Sequence, residues 1–260
     1  MTYLSRIRIN PLRSPSRNLL GNARAMHSIV MHGVPGDATG ERILWRLDAD
    51  NPHRPWLYVL THTKPDWTHL IESAGWPGAE GEHAHIADYR PLLDKLRAGD
   101  SYAFRVTASP VQNTKAPTKL TQAQKDRAQE RLDAAQTTGR RPRSLRLGHR
   151  TAAAQMNWFT ERTPGWGFRI PATEIEPQVP GIELDDSLAS EVLIRNRQRL
   201  SFGHGTSRST KHPVVIHTAT FEGRLEITDA QRFTEILLAG IGPSKAYGCG
   251  LLTLAALPAA

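Results

Sequence analysis

A single cysteine, Cys249, is all the thiol chemistry available to the 260-residue chain. One thiol excludes an internal disulfide framework and a cysteine-rich zinc cluster, and it agrees with a reducing compartment. Long apolar runs are missing as well. No segment approaches the ~20 consecutive apolar residues of a membrane helix, and the opening MTYLSRIRIN lacks the apolar stretch of a secretory signal. A soluble, cytoplasmic protein is the resulting expectation. Acidic side chains are in short supply, with 25 Asp and Glu against 33 Lys and Arg and a formal charge of +8. Apolar residues, at 39%, still suffice for the core of one large or two small domains.

The basic surplus is clustered. Arg140, Arg141, Arg143, Arg146 and Arg150 crowd one segment, Arg195, Arg197 and Arg199 alternate in another, and Arg6, Arg8, Arg13, Arg17 and Arg24 punctuate the start. Any one group is equally consistent with a solvated face. Three together favour a polyanionic partner, because cations that neutralise a phosphate backbone release its condensed counterions.

TYLSRIRIN alternates with period two and predicts a half-buried strand, followed by a loop containing Pro11 and Pro15. NARAMHSIVMHG then predicts a helix with Asn22 as N-cap and Gly33 as its stop. Ala23, Met26, Val30 and Gly33 share its apolar face, and His27 falls at the border of that face. ERILWRLD, PWLYVLTHT and SYAFRVTAS read as strands, with DWTHLIES and RPLLDKL as short helical pieces. Residues 113–142 shift to Gln, Thr, Lys and Arg and read as a linker with a polar surface helix. Beyond them SLRLGH and GWGFRIPATEI predict strands, and TAAAQMNWFTERT a helix. Residues 190–228 predict two long strands around a basic turn, and TDAQRFTEILLAG a helix capped by Thr228. GCGLLTLAAL closes the chain. The second half thus repeats the element order of the first, which predicts an α+β fold of two tandem units over 1–112 and 143–260.

GIGPSKAYGCGLLTLA brackets Lys245 with Gly240, Gly242, Gly248 and Gly250. Such spacing lets a backbone approach a bulky ligand and offers amides to phosphate oxygens. It is neither a Walker loop nor a dinucleotide fingerprint, since no Gly-Lys-Ser/Thr follows and no strand leads into a helix there. It resembles the glycine-rich loop of the repeat-associated RNA-binding (RAMP) superfamily of CRISPR systems. The opening YLSRIRINP, the Met26-His27 pair, ILWRL, FRVTASP and FEGRLEI extend the resemblance over most of the chain. More narrowly, the sequence is similar to the CasE-type precursor-RNA endoribonucleases of the type I-E Cascade complex.

The resemblance implies two ferredoxin-like (βαββαβ) domains. It also implies metal-independent cleavage of CRISPR repeat RNA at the base of a stem-loop, leaving a 2′,3′-cyclic phosphate and a 5′-hydroxyl. The product then stays bound beside other Cascade subunits, with no cofactor, no metal and no membrane involved. His27 matches the family's catalytic histidine. Three residues earlier, where relatives often carry tyrosine, stands Arg24; five residues later, where some carry lysine, stands His32. Arg24 is read as a phosphate clamp. Cooperation of His32 with His27 requires the helix to end or bend before Gly33, because five residues of ideal helix turn through about 140°. Residues 195–211 match the family's RNA-binding hairpin by position, and Arg195, Arg197 and Arg199 are expected on one strand face. Arg13, Arg17, Arg143, Arg146, Arg150, Arg208, Lys211 and Lys245 complete the expected RNA contacts. A non-catalytic crRNA-binding subunit of the same superfamily remains the alternative. His83 and His85 supply only two of the ligands a metal site needs.

Overall fold

The computed structural model describes residues 1–36, 40–81, 83–114, 145–173, 189–202 and 214–257, with a few helical positions between 122 and 137. Arg143, Arg208 and Lys211 lie outside the described residues, as does the Arg146 side chain. Among the described residues no helix is long and apolar enough to cross a membrane.

The chain opens with β1 (Tyr3–Arg8), α1 (Ser14–Gly21), α2 (Ala23–His32), β2 (Leu44–Asp48), β3 (Trp56–Thr61), α3 (Thr68–Ala74) and β4 (Ala84–Asp88). Its strands form an antiparallel sheet in the order β2-β3-β1-β4. Alternation along β1 buries Ser5 and Ile7 and leaves Arg6 exposed, so one face of the sheet is apolar. There Ile7, Leu57 and Val59 meet Met26 and Val30 of α2 and Leu70 of α3. Asn22 caps α2 as expected, its Oδ1 accepting from the backbone N–H of Arg24 at 3.0 Å and of Ala25 at 3.3 Å. Gly33 ends the helix.

Two local expectations are corrected. The predicted Pro11–Pro15 loop contains helix α1, because Pro15 occupies its first turn, where a missing N–H costs no hydrogen bond. The strand Ser101–Ala108, expected to complete the first unit, leaves that role to β4 and joins the second sheet. The boundary expected after residue 112 therefore does not separate the two sheets.

After the helical turn α4 (Arg90–Leu93), the second sheet starts with β5 (Ser101–Ala108). A short hairpin of β6 (Val111–Thr114) and β7 (Leu145–Gly148) flanks the inserted segment, and α5 (Ala152–Thr160) follows. The predicted strand after α5 is broken into β8 (Phe168–Arg169) and β9 (Ala172–Thr173), the latter paired with β10 (Ala189–Ser190). The two long strands are β11 (Val192–Phe202) and β12 (Val214–Ile227); α6 (Ala230–Ala239) and β13 (Leu252–Ala255) complete the fold. The cap of α6 is Asp229, whose carboxylate accepts from Arg232 N–H at 2.9 Å, rather than Thr228. The second sheet runs β11-β12-β5-β13 with β8 also paired to β12, and its four path strands, numbered among themselves, repeat the order of the first sheet. Its core is aromatic, with Phe159 stacked on Phe221 at 4.3 Å between ring centroids and Phe168 edge-on to Phe233.

Arg46 joins the sheets. It is 2% exposed, and all five guanidinium N–H groups have partners on three strands. Nε and Nη2 form a fork on the Asp48 carboxylate at 2.7 and 2.9 Å. Nη1 donates to the Arg105 carbonyl at 2.7 Å and the Leu251 carbonyl at 3.0 Å, and Nη2 also reaches Thr253 Oγ1 at 2.9 Å. Beside it Leu44, Leu60, Tyr89 and Leu251 form a small apolar cluster shared by both halves.

Two stability predictions follow from this junction. Removing the guanidinium takes the donor from the Arg105 and Leu251 carbonyls and leaves Asp48 only Arg105, so Arg46→Ala is expected to lower unfolding free energy by roughly 3–5 kcal/mol in urea titrations. Arg46→Lys should recover only part of that loss, since an ammonium cannot reproduce the planar fork. Gly248 has φ +78°, and a Cβ there would lie 2.7 Å from the Trp45 ring. Gly248→Ala should cost at least ~1–2 kcal/mol by the same measurement, from left-handed backbone strain alone.

Candidate functional site

His27 sits in the second turn of α2, half-buried beside the fully buried Met26. Burial lowers its pKa below the ordinary histidine value. Its Nδ1 makes no hydrogen bond to the described protein atoms. The lowered pKa favours the neutral ring near pH 7, and the Nδ1 that lacks a partner is itself buried.

Tertiary packing brings two distant segments to α2. One is the 3₁₀ turn Lys245–Tyr247 inside the glycine-rich loop; the other is β11, the edge strand of the second sheet. Tyr247 packs against Phe202 at the end of β11, with ring centroids 4.8 Å apart and the rings tilted by 48°. Beside them a cleft of about 150 Å³ runs from the end of α1 across Trp45, Arg105 and Thr220 to Gln198 and Tyr247, and His27, Arg24 and Lys245 are not among its lining residues. Lys245 is partly buried, and desolvation, followed by the nearby charge of Arg42, lowers its pKa. No ion pair to Lys245 occurs among the described residues.

The glycines of this loop serve packing rather than an open phosphate cradle. Gly240 and Gly248 both adopt positive φ, and a side chain on either would strike β2, at Leu44 or Trp45 respectively. The close approach they permit is between the loop and the first sheet. Gly242 and Gly250 also take positive φ, against Trp158 and the Ile241 backbone. Ser244, just before the turn, holds φ +64° without being glycine, and no other non-glycine residue described does so.

Arg24 is exposed in the first turn of α2, one turn before His27. His32 is the last residue of the helix, which stays regular up to its Gly33 cap. The bend needed to bring His32 beside His27 is not there, and the ~140° separation of an ideal helix holds. Arg13 occupies the N-cap position of α1, and Arg17 is exposed on that helix.

The β11 arginines divide. A register shift between Ile194 and Asn196 leaves Arg195 in a bulge, so it does not share the alternation of Arg197 and Arg199. Those two pair across the ladder with Ala219 and His217, on the face that carries α5. Asn196 and Gln198 turn the other way, into the cleft beside α2. Arg197 Nε donates to Gln155 Oε1 at 2.8 Å, and its Nη2 donates to the Arg150 carbonyl. Burial and the charges of Arg199, Arg150 and Arg197 all lower the pKa of His217, which places four basic side chains together near the start of α5. Sequence reading missed His217 and Gln155. Their only signal is a polar residue at an inward position of an otherwise apolar element.

His83 and His85 do not form a shared centre. His83 stacks on Trp76 with ring centroids 5.7 Å apart and bonds the Glu80 carbonyl through Nε2, while His85 is exposed opposite Arg6.

A family model described as CRISPR associated protein matches residues 2–256. The chain is 28% identical over 256 residues to the CRISPR-associated endoribonuclease Cse3 of Thermus thermophilus, covering 97% of this chain and 99% of that protein. It is 43% identical over 218 residues to the CRISPR system Cascade subunit CasE of Escherichia coli K12, covering 82% and 89%. The fold is similar to Cse3 bound to a 19-nucleotide RNA, with TM-score 0.66, 26% identity and coverage of 98% and 99%. A Thermus thermophilus Cse3 complex with an RNA representing the pre-cleavage state gives TM-score 0.65 at 25% identity, covering 98% of each chain. With an α+β architecture and near-complete coverage by the family model and by these relatives, the chain belongs to the CRISPR-associated protein family, as a CasE-type member.

Proposed function

We propose that this protein is a metal-independent endoribonuclease that cuts CRISPR precursor RNA at the base of the repeat stem-loop and keeps its product within a Cascade-type assembly. The observation that carries the reading is the packing of α2, with half-buried His27, against the Lys245 turn and the basic edge strand β11. The shared strand order of the two sheets supports two tandem ferredoxin-like units, the first ending at β4.

The nucleophile belongs to the substrate, which is why so few protein groups suffice. A ribose 2′-hydroxyl attacks the adjacent phosphorus, its proton passes to a base, the bond to the 5′-oxygen breaks, and that oxygen takes up a proton. The products are a 2′,3′-cyclic phosphate and a 5′-hydroxyl. Holding the backbone in line supplies much of the acceleration. His27, kept neutral by burial, accepts the 2′ proton. Arg24, on the same side of α2 one turn away, and Lys245, from the adjoining turn, bear on the phosphate oxygens as negative charge grows there. His32 and the other exposed cations of this end act as backbone contacts.

The stem is gripped where β11 forms the sheet edge. Arg197 and Arg199 with Arg150 present cations on one side of this strand, and the α2 site lies on the other, so a duplex end seated on the edge meets both. Phosphate and shape carry most of the affinity, because the deep groove of A-form RNA admits few side chains. A crRNA-holding subunit without cleavage is the second reading, and it is favoured by Arg24 and His32 standing where relatives carry tyrosine and lysine.

Single-turnover cleavage of a repeat hairpin in excess chelator separates these readings. His27→Ala should slow cutting by roughly 10²- to 10⁴-fold, with hairpin affinity little changed, and a 2′-deoxy substitution at the attacking ribose should abolish it. Binding without cutting by the wild type supports the second reading. Because burial lowers the His27 pKa, kcat/KM should rise with pH through an acid limb centred below about 6.5 and then level. Arg197→Ala and Arg199→Ala should each weaken hairpin binding and reduce the slope of log K against log salt by about one.

A further inference from the structure

The first sheet has a second face, turned away from α1, α2 and α3. Its two central strands, β1 and β3, place Leu4, Arg6 and Arg8 beside Leu60, Tyr58 and Trp56, with Arg6 opposite both Tyr58 and His85. Leu4 and Leu60 are covered at one end by Leu251 of the second half. The other end is open, with Arg6 and His85 exposed and Arg8, Trp56 and Tyr58 partly so.

What stands there is aromatic and cationic. The Arg6 guanidinium lies 4.8 Å over the Trp56 ring, that of the buried Arg46 lies 5.2 Å over one face of Tyr58, and that of Arg8 lies 4.8 Å over Trp76, which in turn stacks on His83. Neither arginine forms an ion pair with a carboxylate among the described residues. Asp48, opposite Trp56 on this face, is committed to Arg46 and Arg105. Tyr58 also walls an open groove of about 460 Å³ that runs between the two sheets.

A stacked arginine on a sheet is often no more than a solvated cover for an aromatic ring. Here two uncompensated guanidinium groups and several ring faces gather on and beside the two middle strands. Base pairs within a duplex are stacked on one another and hide their faces, whereas unpaired bases offer them to tryptophan, tyrosine and arginine planes. The charge is positive and the geometry flat, which matches a strand with unpaired bases and phosphates rather than an acidic or apolar protein surface.

We propose that this open face binds single-stranded RNA continuing from the repeat stem-loop, with bases stacking on Trp56, Tyr58 and Trp76 and phosphates meeting Arg6 and Arg8. The inference rests on the reading that the protein binds repeat RNA, and it adds a second site remote from His27. Flanking nucleotides would then contribute to retention of the transcript independently of the stem.

Fluorescence anisotropy tests it with four RNAs: the bare hairpin, the hairpin with a 5′ extension, the hairpin with a 3′ extension, and the isolated extension. One extension is expected to tighten wild-type binding by about tenfold, the scale of one stacked base. Trp56→Ala and Arg6→Ala should each remove most of that gain while leaving bare-hairpin affinity as in the wild type, and Trp56→Phe should restore it. Hairpin binding with no gain from either extension overturns this site alone, as does a gain that survives both alanine variants. Binding of neither hairpin nor extension overturns the site together with the proposed function. Variants that keep the gain but fail to enter a multi-subunit complex assign the face to a protein partner and also overturn the proposal.

Discussion

The relation between the two halves depends on one buried guanidinium. Arg46 leaves β2, spends its fork on Asp48, and gives its remaining N–H groups to the backbone of β5, the residue before β13 and a β13 hydroxyl. A buried charge is tolerated only when paired and fully hydrogen-bonded, so these groups must remain where Arg46 needs them. That constraint sets the first sheet against the second. The glycine-rich loop then closes over β2 through contacts only glycine permits.

The proposed function rests on that fixed relation. His27 and Lys245 are separated by most of the chain, and neither element alone makes a site. α2 supplies an imidazole half-withdrawn from water, and the turn after Ser244 supplies a cation without an acidic partner among the described residues. An RNA-cutting site that borrows its nucleophile from the substrate needs little more than these held rigidly near a basic edge. The edge strand β11 presents two different faces, one toward α2 and one toward α5.

Much of the fold is legible where local chemistry and tertiary demand agree. The alternation of β1, the Asn22 cap, the apolar stripe of α2 and the long β11–β12 ladder all read directly from the residues. Failures cluster where the two disagree. Helix α1 hides behind two prolines, because only the first turn of a helix accepts one and the sequence does not announce which turn that is. β4 is short and weakly alternating, so the stronger strand Ser101–Ala108 was the more natural partner for β1 until long-range pairing assigned it elsewhere. The bulge at Arg195 shows how a single unpaired residue changes which cations share a surface.

By itself, the sequence determined the class of partner and the chemistry available: a clustered cationic surplus for phosphate, one histidine at the border of an apolar helix, and no thiol framework or membrane span in its composition. These are properties of residue type and local period, and they survive any arrangement of the elements. Tertiary structure alone decided that the glycine-rich loop packs on β2, that β11 lies beside α2, and that Arg46 bridges the halves. Each of these depends on contacts between residues far apart in the chain, where neither periodicity nor spacing carries information.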